Sequence, residues 1–99
     1  MAFNINISER ISDKLAKKHK VTPEEINQCF ANRAAGFLED SREDHKTDPP
    51  TQWFIAPTNR GRLLKIVFVQ LPAKDGVKIS LKTAYEPNAT EIRIYDKFA

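Results

Sequence analysis

The apolar and polar positions of the chain form their clearest pattern between Arg62 and Leu71. Both alternating sets of side chains are apolar at the centre of this stretch: Leu64, Ile66 and Phe68 form one set, and Leu63, Val67 and Val69 the other. A strand with two apolar faces is covered on both sides. The β-branched residues, the turn residues 59–61 before the stretch and Pro72 after it favour a strand over a helix. We therefore predict that this stretch is the central strand of a sheet.

Four other segments have the pattern of strands: Phe3–Ile7, Gly36–Asp40, Gln52–Ala56 and Val77–Thr83. The first alternates apolar residues with asparagine, although a frayed terminus is an equal alternative. The last alternates a core face, ending in Thr83, with a face that carries Lys78 and Lys82. Residues 58–61 and 72–76 are rich in turn formers, so we expect two hairpins there. Residues 41–50 form a charged loop that ends in two prolines.

Three helices are predicted from their capping residues. Ser8 is a suitable N-cap for a helix that runs to about His19. Thr22 and Glu25 form a capping box, and the second helix runs to about Asn32. Its apolar face consists of Ile26, Cys29 and Phe30. Asn88 and Glu91 give a third helix the same kind of start and predict that it continues to Phe98.

These elements predict an α+β fold with two N-terminal helices and one C-terminal helix packed on a four-stranded antiparallel sheet. Residues 3–7 are a candidate extra strand. The 99 residues suffice for a single domain with one core. Cys29 is the only cysteine, which excludes an internal disulfide and favours a reduced, cytoplasmic setting. The sequence contains no signal peptide or transmembrane pattern, so we expect a soluble protein.

The net charge of +3 is unevenly distributed along the chain. Residues 1–50 contain eight Lys and Arg against nine Asp and Glu, whereas residues 51–99 contain eight against four. This surplus favours an anionic partner such as RNA, DNA or an acidic protein. A solvated surface of ordinary composition is an equally good explanation.

Three groups of residues are candidates for chemistry. The first is the basic set Arg62, Lys65, Lys78 and Lys82, which contains the side chains suited to a phosphate backbone, or is simply a solvated face. In a regular strand Arg62 and Lys65 point to opposite faces, so only one of them can share a face with Lys82. The second is His19 with its neighbouring lysines, where the imidazole is either a general acid or base or a helix cap.

The third group lies at the end of the last strand and on the last helix. Tyr85 is suited to stacking on a base, and Arg93 to holding a phosphate. Tyr95 is better explained as part of the helix face that packs on the sheet, and Trp53 as core. His45 lies in the charged loop with two aspartates, but their spacing fits no metal site, so we expect no metal and no cofactor.

Several short segments resemble the BrnT-type toxins of bacterial toxin–antitoxin pairs. They are Lys18–Ile26 continuing to Phe30, Phe37–Asp40, Phe54–Ala56, Gly61–Leu64, Thr83–Glu86 and Glu91–Tyr95. Together they cover most of the chain. The family belongs to the RelE-like fold group, whose members are small basic α+β ribonucleases held inactive by an antitoxin. Segments 48–51 and 83–87 also resemble small bacterial proteins labelled ADP-ribosyl-dinitrogen reductase hydrolases, but this chain is too short for an ADP-ribosyl hydrolase of the known kind.

The resemblance implies a metal-independent endoribonuclease in which a ribose 2′-hydroxyl attacks the adjacent phosphate. It implies roles for Lys18, His19, Arg62, Glu91 and Tyr95. BrnT-type toxins usually have glycine where this chain has Lys20, and arginine where it has Tyr85.

Taken together, the predicted catalytic residues are His19, Arg62, Lys82, Tyr85, Glu91 and Tyr95, and the predicted RNA-binding residues are Lys18, Lys65, Lys78 and Arg93. The expected partners are RNA and a cognate antitoxin, without a membrane. The alternative is a non-catalytic module that binds a protein or a nucleic acid.

Overall fold

The computed structural model describes residues 4–40 and 49–99. Along the chain, the elements are β1 (Asn4–Asn6), α1 (Glu9–Lys18), α2 (Pro23–Asn32), β2 (Leu38–Glu39), β3 (Thr51–Pro57), β4 (Leu63–Ala73), β5 (Gly76–Tyr85) and α3 (Ala89–Phe98). Three helices therefore pack on a five-stranded mixed sheet, which confirms the predicted α+β class. Most of the predicted charged loop, including His45, lies outside the described residues.

The strand order in the sheet is β1-β5-β4-β3-β2. β4 is the middle strand, as the two apolar faces of its sequence predict. β2, β3, β4 and β5 pair antiparallel, and β1 pairs parallel to β5. The N-terminal segment is thus an additional strand, and it makes the sheet mixed.

The two faces of the sheet are covered by different helices. On one face, Leu64, Ile66 and Phe68 of β4 are fully buried beneath α1 and α2, which contact β5, β3 and β4. The other face of β4 includes Lys65 and Val67, and α3 packs beside it on β3. The polar end of this second face, at the start of β4, is where the candidate site lies.

All three helices begin at the N-caps that the sequence predicts. The Ser8 side chain accepts a hydrogen bond from the backbone N–H of Ile11, at 3.2 Å. Thr22 with Glu25, and Asn88 with Glu91, form complete capping boxes. On α2, the residues Ile26, Cys29 and Phe30 are buried as predicted. Because capping depends on neighbours within one turn, sequence alone located these helix starts accurately.

The hairpin between β4 and β5 is tighter than the sequence predicts. Strand pairing continues to Ala73 opposite Gly76, so the turn is Lys74-Asp75 rather than a loop over residues 72–76. Gly76 has φ +130°, a conformation that side chains with a Cβ rarely adopt. The predicted strand over residues 36–40 is reduced to Leu38–Glu39.

A β-bulge in β5 overturns the prediction that Thr83 belongs to the core face. Val67 lies opposite Thr83, whereas Phe68 lies opposite Leu81, so Lys82 is an additional residue without a partner in β4. The buried positions change accordingly from Leu81 to Ala84, and Thr83 is only half-buried. An extra residue in one strand shifts the alternation of faces beyond it.

Candidate functional site

Several predicted site residues meet at the end of the sheet where β4 begins and β5 ends. Lys65 in β4 lies directly opposite Tyr85 in β5. The C-terminus of α1 contributes His19, and the first turn of α3 contributes Glu91. Arg62, immediately before β4, reaches the same region. Segments that are far apart in the sequence therefore form one cluster, which we call the polar cluster: His19, Arg62, Lys65, Tyr85 and Glu91.

Arg62 joins three elements of the fold. Its Nη1 donates to the Lys20 carbonyl at 2.7 Å, and its Nη2 donates to the His19 carbonyl at 2.8 Å. These carbonyls follow the last turn of α1, where a cation is favourable. The guanidinium also contacts Glu25 in α2 at 3.3 Å and Glu86 after β5 at 3.0 Å. Each of its five N–H groups can therefore be assigned a partner, so Arg62 fixes the end of α1 against β5.

The ring of His19 lies beside the ring of Tyr85. Their centres are 5.8 Å apart, and the two planes are inclined by 39°. Both residues are half-buried, so both remain in contact with solvent. Because Arg62 holds the backbone carbonyl of His19, the imidazole is presented at a fixed position next to the phenol.

Glu91 holds Tyr85 and Lys65 through one carboxylate oxygen. Its Oε2 accepts from Lys65 Nζ at 2.7 Å and from the Tyr85 hydroxyl at 2.9 Å. Its Oε1 accepts from the backbone N–H of Asn88, at 3.0 Å, as part of the capping box. Burial acts to raise the pKa of Glu91, but these hydrogen bonds and the charge of Lys65 outweigh it and leave the pKa below its ordinary value of 4.5.

The ammonium of Lys65 also lies over two aromatic rings. Its Nζ is 4.5 Å from the centre of the Trp53 ring and 5.6 Å from that of Tyr85. Only 13% of the side chain is exposed. Lys65 is thus bound by a carboxylate and by aromatic faces within the protein, which holds its charge in place.

Tyr95 lies away from the polar cluster and in the core. Its side chain is 6% exposed, its ring centre lies 5.7 Å from that of Trp53, and its hydroxyl donates to the Gly36 carbonyl at 2.7 Å. Burial raises the pKa of Tyr95. These contacts agree with the packing role that the sequence favours for it. Its catalytic role, implied by the resemblance, stays a prediction.

The remaining predicted RNA-binding residues are not all close to the polar cluster. Lys18 and Lys82 are exposed, the first one residue from His19 and the second at the bulge three residues before Tyr85. Lys78 is seven residues from Tyr85 along β5, roughly 20 Å at the rise of an extended strand. Arg93 is exposed on α3, and none of these four side chains makes an ion pair within the described ranges.

Sequence reasoning missed two partners of Arg62 and an unusual backbone conformation. The contact with Glu25 spans 37 residues of sequence and has no local signal. Lys20 has φ +54°, the left-handed conformation that glycine adopts most easily. The glycine that BrnT-type toxins usually have at this position was the available signal for it.

Among residues 4–40 and 49–99, no group of three or more His, Cys, Asp or Glu side chains is arranged to hold a metal ion. No helix in these ranges is both long and apolar enough to cross a membrane. Compared with known protein families and with curated proteins, the chain matches no family model and no curated protein. The likeness to BrnT-type toxins therefore stays a prediction.

Proposed function

We propose that this protein is the toxin of a type II toxin–antitoxin pair and cleaves RNA without a metal ion. The observation that supports this proposal best is the polar cluster itself. His19, Tyr85 and Glu91 come from three segments that the sequence analysis selected separately, and the fold brings them together beside exposed lysines. An imidazole next to an accessible aromatic ring is a suitable arrangement for a nucleotide.

In the proposed reaction, His19 accepts the proton of a ribose 2′-hydroxyl. The 2′-oxygen then forms a bond to the adjacent phosphorus, the bond from phosphorus to the 5′-oxygen breaks, and water supplies a proton to the departing 5′-oxygen. Exposed Lys18 and Lys82 stabilise the negative charge that develops on the phosphate. The ring of Tyr85 stacks on a base, and its hydrogen bond to Glu91 fixes the ring orientation.

In this mechanism Arg62 and Lys65 act as positioning residues. Both cations are already bound by carboxylates, so neither has its charge fully available to a phosphate. This same observation favours the alternative function, a binding module that holds RNA or a protein without cutting it. The two functions differ in one measurable property, the appearance of new RNA ends.

The experiment combines cleavage of a 5′-labelled RNA in the presence of EDTA with variants of exposed or half-buried residues. We expect His19→Gln to lower the rate about 100-fold or more, the usual contribution of a general base. Tyr85→Ala should weaken RNA binding by about 1–3 kcal/mol through lost stacking. Lys82→Ala should reduce the salt dependence of binding by about one counterion. Lys74→Ala, an exposed lysine in the β4–β5 turn, is the matched control.

Expression in a bacterial host tests the toxin itself. The wild-type chain should arrest growth and produce new 5′ ends in total RNA, and His19→Gln should do neither. Thermal unfolding of each purified variant separates lost activity from lost folding. If the wild-type protein leaves RNA intact and permits normal growth, the ribonuclease proposal is wrong, and RNA binding without cleavage would then support the binding module.

A further inference from the structure

A groove of about 500 Å³ lies on the side of α3 that faces β2 and β3. Its walls are apolar and come from Leu38, Trp53, Ile94 and Phe98, and its rim carries Glu39 and Asp40. We call it the α3 groove. The Lys65–Glu91 pair closes its inner end. A concave site of this size with apolar walls and a few charged groups has the general form of a ligand or peptide site.

Two apolar side chains of the groove are exposed without an apolar neighbour to cover them. Phe98 is 65% exposed and Ile94 is 41% exposed. They lie one helical turn apart on α3 and therefore share a face of the helix. Aromatic and aliphatic side chains that line an open groove are the usual anchoring points of a protein interface.

The charge of the groove selects its partner. Glu39 and Asp40 lie at the rim, and Lys65, the lysine that lines the groove, is neutralised by Glu91 at 2.7 Å. Carboxylates at the rim repel a phosphate backbone and attract lysine or arginine. Lys97 Nζ lies 5.3 Å from the centre of the Phe98 ring, so a cation from the partner is better placed at the carboxylates than on that ring.

From this combination we infer that the α3 groove binds a segment of a protein partner in which an apolar side chain is flanked by lysine or arginine. The apolar side chain inserts between Phe98 and the opposite wall formed by Leu38 and Trp53. The basic side chains pair with the rim carboxylates. This inference concerns a different surface from the RNA-binding end of the polar cluster and does not depend on the ribonuclease proposal.

The test measures binding of a fluorescent synthetic peptide in which leucine and lysine alternate. One control peptide replaces the lysines by glutamate, and a second replaces the leucines by serine. The wild-type chain should bind the first peptide and neither control. Phe98→Ala and Glu39→Lys should each weaken binding about tenfold, because each removes a central anchor of one kind.

Two matched variants remove similar side chains elsewhere on the surface. Val77→Ala truncates an apolar residue that is 52% exposed, and Asp75→Lys reverses an exposed charge in the β4–β5 turn. Both should leave peptide binding unchanged. The inference is overturned if the wild-type chain does not bind the leucine–lysine peptide, if it binds the glutamate peptide equally well, or if Phe98→Ala and Glu39→Lys have no effect. It is also overturned if Phe98→Ala impairs binding of an RNA oligonucleotide instead.

Discussion

Replacing Glu91 by glutamine removes one negative charge while keeping nearly the same shape. Glutamine can still occupy the third position of the capping box. The carboxylate oxygen that accepts from both Lys65 and Tyr85 is lost, and an amide can offer an oxygen to only one of them. The Lys65 side chain is 13% exposed and that of Glu91 18% exposed, so water replaces the lost contact poorly.

The magnitude follows from the bonds that change. A hydrogen bond to a charged group contributes about 1.5–3 kcal/mol, so we expect Glu91→Gln to lower the free energy of unfolding by about 2 kcal/mol. For a domain of this length, that corresponds to a fall in Tm of about 8–16 °C. Glu86→Gln is the control, because its side chain is 65% exposed and its ion pair with Arg62 should contribute less than about 1 kcal/mol.

The effect should depend on pH in a defined direction. The pKa of Glu91 is lowered in the folded protein, so the charged form stabilises the fold above the ordinary value of 4.5. As pH falls below 4.5 towards the folded pKa, Glu91 becomes protonated and this stabilisation is lost. The difference in stability between wild type and Glu91→Gln should therefore be largest near neutral pH and shrink in acid.

Urea unfolding, followed by circular dichroism from neutral to acidic pH, provides the measurement. A double-mutant cycle with Lys65→Met gives the coupling energy of the ion pair, which we expect to exceed about 1 kcal/mol. A coupling energy near zero, or a difference in stability that stays constant as pH falls, would refute the role assigned to this pair.

Two further predictions concern the backbone of Lys20 and the thiol of Cys29. Lys20→Gly should raise the free energy of unfolding by about 0.5–1 kcal/mol, because relief of the left-handed strain exceeds the added chain entropy; Lys18→Gly, in the last turn of α1, should instead lower it by about 1 kcal/mol in the same thermal unfolding assay. Cys29 is fully buried, and burial, with a smaller contribution from Glu25, raises its pKa to about 12. A thiol reagent should therefore label it only after urea unfolds the protein, and rapid labelling of the folded chain would contradict this prediction.

The features that sequence alone predicted depend on nearby residues. Ser8, Thr22 and Asn88 were identified as N-caps because the groups that they bind lie within the next turn of helix. The central strand was recognised because both of its faces are apolar over consecutive positions. Such signals are contained in a few neighbouring residues and survive without knowledge of the tertiary fold.

What the sequence did not predict depends on residues that are distant or on a single added residue. The contacts of Arg62 with the His19 carbonyl and with Glu86 span 43 and 24 residues. Nothing near Arg62 indicates that its donors are used inside the protein. The polar cluster was therefore predicted as three separate groups, and only the fold shows which of their members meet.

The β-bulge determines where Tyr85 can act. If β5 continued from Leu81 without an additional residue, Tyr85 would point to the face covered by α1 and α2, and Ala84 would face α3. Insertion of Lys82 reverses this assignment, so Tyr85 comes opposite Lys65 and within reach of Glu91 on α3. Deleting Lys82 would thus relocate a side chain three positions away, and the length of β5 matters to this site as much as its composition.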